Sequence, residues 1–317
     1  MGQEQIRLRI DLAYDGAPFK GWARQPGLPS VQAALEDALS LIFREACPTV
    51  VAGRTDTGVH ARHQTVHVDV PRQRWQQQSR RRGMSRDVVR GGVPTQHGDG
   101  ETGAGAPVPE LTRRLNGALN RVLGKDRAAE GWAPAVGAVV VRDVSVAEVG
   151  FDARFSALSR GYLYRVADAV TGHDPLARTY SWWVDERLDV AAMDRAVRDL
   201  LGLHDFLSFC KPREGATTVR ELQRASVTRG ADGMITAALT ADAFCHHMVR
   251  SIVGAVVRVG QGRHDAPWPA QRLEARVRDA AVAMAPAHGL VLDAVHYPDA
   301  QELAERARVT RARRDDD

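Results

Sequence analysis

Two periodicities follow one another in a set order along this chain, and the order comes round twice. Ile6, Leu8, Ile10 and Leu12 alternate with Arg7, Arg9 and Asp11, the period-two pattern of a half-buried strand. Ser30 stands as an N-cap ahead of Val31, Ala34, Leu35, Ala38 and Ile42, which recur at helical spacing. Thr49-Val50-Val51 is apolar and β-branched and ends a strand, and Thr65–Val70 alternates as another. Leu111, Leu115, Ala118, Leu119 and Val122 predict a helix, and Ala138 to Val146 a strand. The second round runs from a strand at 161–167 to a helix through Met193, Val197, Leu200 and Leu201 that stops at Gly202. Strands near 218–228 and 234–240 follow, then a helix from His246 to Val259, a further helix near 271–284 and a strand at 289–297. This order predicts an α+β fold with weak internal duplication. Two β-α-β-β-α-β halves suggest ferredoxin-like or RRM-like units set side by side.

A chain of 317 residues holds one large domain or two ordinary ones. The expected division is 1–150, 151–300 and a charged tail, 301–317, that frays. Residues 71–109 interrupt the first half. Seven arginines, from Arg72 to Arg90, stand against a single acid before Arg90, Asp87, and the rest is rich in Gly, Pro, Gln and Ser without periodicity. This predicts a flexible basic insertion, either an arm for RNA or a loop that touches nothing.

No run of eighteen apolar residues marks a membrane span, and the first five residues lack the apolar stretch of a secretory signal. Cys47, Cys210 and Cys245 are odd in number, far apart and without a metal-ligand spacing, which fits a reducing cytoplasm. The net charge of +4 permits nucleic-acid binding without establishing it. Of 43 basic residues only Lys20, Lys125 and Lys211 are lysine. GC-rich codon usage accounts for that excess of Arg more readily than selection for RNA contact, and the two are compatible because Arg still pairs well with phosphate.

The segment Ala52-Gly53-Arg54-Thr55-Asp56-Thr57-Gly58-Val59-His60-Ala61 sets a carboxylate between two glycines, on a turn between strands. Glycine admits positive φ and close approach of a ligand, and a rigid frame around a charged turn suits a substrate site. On its own the segment fits a turn in which Asp56 caps a backbone N–H equally well.

The whole string closely resembles the active-site motif of the TruA family of tRNA pseudouridine synthases. Four further segments resemble that family in the same order. They are Leu12-Ala13-Tyr14-Asp15-Gly16 with Phe19–Pro26, Phe151–Ala157 running on to Tyr162-Leu163-Tyr164, Phe244–Gly254, and His288-Gly289-Leu290 to Tyr297-Pro298. The resemblance implies two halves sharing a mostly antiparallel sheet around a central cleft. It also implies conversion of uridine to pseudouridine at positions 38–40 of the tRNA anticodon stem-loop, by a cytoplasmic homodimer.

That reaction breaks the N1–C1′ bond, turns the uracil and joins C5 to C1′. It needs a carboxylate and a pocket that retains the free base, but no redox partner and no cofactor. The resemblance gives the carboxylate role to Asp56. Arg250 is implied as the cation that favours its ionised form and fixes its geometry, although a solvated helix face would also explain that Arg. Arg54 is expected to displace the target base or grip its phosphate. Tyr162 is expected to lie against the uracil, with Tyr164 on the same face; ordinary strand core is the alternative for both. His60, His63 and His67 have no completing ligand set, so no metal is expected, and His246-His247 suggests RNA contact or helix capping. Asp205 is expected to order a loop. A non-catalytic RNA-binding protein, a carboxylate-dependent hydrolase and a synthase with other target uridines are the alternatives.

Overall fold

The computed structural model describes residues 4–80, 105, 107–124, 131–212, 217–278 and 282–315. Leu8, Ile10 and Leu12 of strand β1 (Gln5–Tyr14) are fully buried, while Arg7 on the other face forms a bidentate pair with Asp69 of β3 (His60–Pro71) at 2.7 Å. The alternation read from sequence thus becomes one greasy and one charged face. β1 lies antiparallel between β3 and β4 (Val139–Val146), and the short β2 (Thr49–Val51) also pairs with β3.

Helix α1 (Val31–Phe43) starts where Ser30 accepts a hydrogen bond from the Ala33 N–H, as the sequence predicts. α3 (Pro109–Leu123) packs on α1 and on β4, where the Asn116 amide pairs with both the N–H and the C=O of Val141 at 2.8 Å.

The other side of the sheet is β5 (Ser159–Ala167), β9 (Ile235–Ala241), β8 (Val219–Arg229) and β7 (Gly202–Asp205), each antiparallel to its neighbour. β6 (Trp182–Trp183) adds a short parallel pairing to β5. Strand β10 (Leu290–His296) joins the two sides. It is antiparallel to β5 and parallel to β3, through Val291↔His60 and Leu292↔Ala61. The resulting ten-stranded sheet runs β4-β1-β3-β10-β5-β9-β8-β7. α4 (Val190–Arg198), α5 (Met248–Gly260) and α6 (Trp268–Ala275) pack together, with α4 also on β8.

Several expectations are corrected. α4 ends before Gly202, which instead opens β7 with φ +109. The helix expected near 271–284 is α6, which begins earlier and stops at Ala275 with Arg276 in the left-handed region. The supposed frayed tail is helix α7 (Leu303–Asp315). Leu303 and Ala307, four apart, are buried amid charged neighbours, and Arg311 pairs with Asp152 at 2.5 Å. The insertion at 71–109 opens with helix α2 (Arg72–Arg80), anchored by buried Trp75. Residues 81–104 and 106 of that expectation lie outside the described residues. No helix among the described residues is long and apolar enough to cross a membrane.

Candidate active site

The loop that carries Asp56 is held from several directions. The Trp22 N–H donates to the Thr55 carbonyl at 3.0 Å, and the Tyr14 hydroxyl meets Thr55 Oγ1 at 2.7 Å. Gln64 donates to the Gly53 carbonyl at 2.8 Å, and Arg160 to the Ala52 carbonyl at 2.9 Å. Burial pushes the Tyr14 phenol up to about 12, so it stays a neutral hydrogen-bonding group. Gly58, at φ +77, closes the turn, and the Val59 N–H donates to the Asp56 carbonyl at 3.1 Å. The Tyr14–Trp22 segment, singled out by sequence, therefore serves as scaffold for Asp56.

Asp56 faces the N-terminus of α5. His246 Nε2 lies 3.2 Å from its Oδ1, His247 Nε2 3.7 Å from its Oδ2, and Arg250 Nη1 3.9 Å from Oδ2. A helix N-terminus also carries partial positive charge, which favours a carboxylate there. Arg250 is anchored by its Nε, which donates to the Ala285 carbonyl at 2.8 Å. Burial lowers the proton affinity of this guanidinium and Asp56 opposes that effect. Burial, and then the neighbouring His246, pull the His247 imidazole down to about 4, so it is neutral at physiological pH.

Tyr162 on β5 is buried and meets Phe244 edge-on, with ring centroids 5.1 Å apart. Its phenol is pushed far up by burial and keeps its proton. Tyr164 is deeper. It is fully buried, its hydroxyl donates to the Pro286 carbonyl at 2.7 Å, and it is part of the frame. Arg54 is exposed beside Asp56, with no ion pair among the described residues.

Asp56, Tyr162, Phe244, His246, His247 and Arg250 line one cavity of about 970 Å³, the size of a small-molecule or nucleotide site. Arg54, Arg154, Lys211, Arg220 and Arg306 line it as well, so its wall is cationic and suits a phosphate backbone. Two carboxylates reach it. Asp242 accepts from the N–H groups of Glu221 and Ala243, at 3.0 and 2.7 Å, whereas among the described residues Asp56 is met by side chains alone.

The structure brings Asp56, Arg54, Tyr162 and Arg250 together, all four expected from sequence. Beside them stand the two histidines. His247 occupies the N-cap position with φ +72 but its side chain makes no capping hydrogen bond, so the capping expectation is corrected: both imidazoles turn to Asp56. Their place next to Arg250 in one segment was the available signal. Donor atoms of Asp56, His246 and His247 lie within 4.8 Å of one another, close enough to share an ion. His60 and His67 serve the frame instead. The Gly16 N–H donates to His60 Nδ1 at 3.1 Å and the Ala153 N–H to His67 Nδ1 at 3.0 Å. Asp205 orders its loop as expected, accepting from the Leu207 N–H at 3.1 Å and Thr218 Oγ1 at 2.5 Å.

Cys210 and Cys245, which by their spacing fit a reducing cytoplasm, are instead joined in a disulfide with Cα atoms 5.8 Å apart. The intervening strands β8 and β9 return the chain to its starting point, a closure that linear spacing does not reveal. Burial pushes the remaining Cys47 thiol up to about 11.

Residues 196–298 match the family model described as tRNA pseudouridine synthase. Over 310 residues the chain is 48% identical to the tRNA pseudouridine synthase A of Frankia casuarinae, covering 97% of this chain and 95% of that protein. It is 43% identical to the protein of the same description from Streptomyces avermitilis, over 98% of this chain and 94% of the relative. With that of Mycobacterium leprae it shares 44% identity, over 97% and 95% of the two chains.

Proposed function

Since the chain belongs to the tRNA pseudouridine synthase A family, and as such isomerises uridine to pseudouridine in tRNA, we propose that Asp56 is the carboxylate that carries the reaction. The observation behind this assignment is that Asp56, of the two carboxylates in the cavity, has no backbone N–H partner among the described residues and faces cations and imidazoles. It acts at the sugar or the base while the N1–C1′ bond breaks and C5 joins C1′. Arg250, fixed to Ala285, holds the carboxylate in place. Tyr162 supports the uracil ring so that the detached base recombines within the cavity. A base stacked on an aromatic gains about 1–3 kcal/mol. Arg54 meets the phosphate or fills the gap left by the displaced nucleotide. No step in this scheme needs a cofactor.

The target uridines lie in the anticodon stem-loop, and two copies of the chain act as a homodimer in the cytoplasm. The cationic cavity wall supports recognition through the RNA backbone, which positions the substrate without reading sequence. The two sides of the sheet are ferredoxin-like halves, 1–150 and 151–300. The repeated order of strands and helices and their meeting at β10 support this division.

The test is tritium release from [5-³H]uridine-labelled tRNA. Wild type releases tritium; Asp56→Ala releases none while still retarding tRNA in a gel. A folded Asp56→Ala protein that releases tritium at the wild-type rate defeats the assignment.

A further inference from the structure

We propose that Asp56, His246 and His247 together bind a divalent ion of the zinc type, and that the bound ion switches the enzyme off. A tetrahedral zinc ion with bonds of about 2.0–2.1 Å holds its donors about 3.4 Å apart. Asp56 lies 3.2 Å from His246 Nε2 and 3.7 Å from His247 Nε2, and all three donors lie within 4.8 Å of one another. The two distances run to different oxygens, Oδ1 and Oδ2, so a small turn of the side chains is needed to set one oxygen and both nitrogens on a face of such a tetrahedron; all three residues line the cavity, which leaves room for a fourth ligand.

The donor set fixes the class of ion. Two imidazole nitrogens and one carboxylate oxygen suit zinc, cobalt and nickel. Magnesium and calcium prefer oxygen donors throughout. The backbone holds both histidines ready. His247 is kept in the left-handed region, the Lys211 N–H donates to the His246 carbonyl at 2.9 Å, and the Ser251 N–H to the His247 carbonyl at 3.0 Å. The Cys210–Cys245 bond anchors the residue just before them. Arg250 opposes binding, its Nη1 being 3.9 Å from Asp56, so the site binds more weakly than a closed structural zinc site. An ion here occupies the oxygens that the isomerisation uses. This consequence, unlike the binding itself, rests on the reading of Asp56 as the catalytic carboxylate.

The experiment titrates the tag-free, oxidised full chain with Co²⁺ and follows the visible absorption of a tetrahedral site. One equivalent is expected to bind, to be displaced by Zn²⁺ and to persist in millimolar Mg²⁺. His246→Ala and His247→Ala are each expected to weaken binding by about tenfold or more. His246→Gln and His247→Gln serve where an alanine variant fails to fold. Zn²⁺ lowers tritium release from tRNA over the same concentration range, and EDTA restores it. Absent cobalt absorption, equal binding by the histidine variants, or near-ultraviolet cobalt–thiolate bands overturn the site. Binding without loss of turnover overturns the switch. The activity of Asp56→Ala then tells whether the catalytic reading fell with it.

Discussion

Arg160 on β5 donates to the Ala52 carbonyl at 2.9 Å, four residues ahead of Asp56. The same guanidinium donates to the carbonyls of Arg154 and Asp242, each at 2.8 Å, and the residue is buried. One side chain therefore ties the Asp56 loop to strand β5 and to the segment leading into α5. Arg160→Met strands three carbonyls and is expected to cost about 3 kcal/mol in urea denaturation. It is also expected to lower kcat/KM, because the loop loses a support on the side facing Tyr162. Unchanged kcat/KM would mean that Tyr14, Trp22 and Gln64 suffice to hold the loop.

Gly254 lets α5 approach the segment that holds Arg250. A Cβ there would sit 1.7 Å from the Ala283 carbonyl oxygen. Gly254→Ala must push that segment away, together with the Ala285 carbonyl that anchors Arg250. The expected loss is about 1–3 kcal/mol in stability, with reduced turnover. Gly117, inside α3, has open space around its missing Cβ. Gly117→Ala is expected to stabilise by about 0.5–1 kcal/mol, so thermal melts of the two variants should move in opposite directions.

Acid should weaken the fold in two stages. Burial, and then the charge of Arg7, lower the His67 imidazole, whose Nδ1 accepts the Ala153 N–H. A depressed folded value means that stability is complete above the ordinary histidine pKa of about 6.5 and is lost as pH falls below it. Burial alone would push the Asp168 carboxyl up. Arg229 and the N–H groups of Leu188, Thr171 and Val170 outweigh it and hold that carboxyl well below the usual range. Its contribution lasts until pH falls below about 4. Urea midpoints should drop between about pH 7.5 and 5, and His67→Gln should drop less. A variant with the wild-type slope would exclude His67 as the cause.

Reduction should loosen the segment around the histidines. The Cys210–Cys245 bond closes a loop of 35 residues. Breaking a bond of that span costs about 2–4 kcal/mol. Dithiothreitol is expected to lower the urea midpoint of wild type but not that of Cys210→Ser. Equal midpoints with and without reductant in wild type would show that the thiols are unbonded in solution.

Local pattern made much of this structure legible. The alternation in β1, the Ser30 cap of α1 and the leucines of α3, four residues apart, each act within a few residues, and each is where it was expected. Helix α7 escaped because two buried residues, Leu303 and Ala307, are outnumbered by charges, and what buries Leu303 is Phe151. The four residues that meet in the cavity, Asp56, Arg54, Tyr162 and Arg250, were expected through whole motifs. The turn of His246 and His247 toward Asp56 was not, because their orientation depends on a left-handed backbone at the start of α5 and on a loop nearly two hundred residues away. The cysteine pair was hidden for the same kind of reason: two antiparallel strands bring its members together.

β10 is the last strand in chain order and sits at the middle of the sheet, with two pairs to β3 on one side and a long ladder to β5 on the other. A ribosome therefore delivers the two flanking groups of strands first, each with an inner edge unpaired. Until residues 290–296 emerge, those edges are open to pairing with other chains. The nascent protein has both walls of its cavity before it has the seam that fixes their spacing, so the site cannot take its final shape until residues 290–296 have emerged.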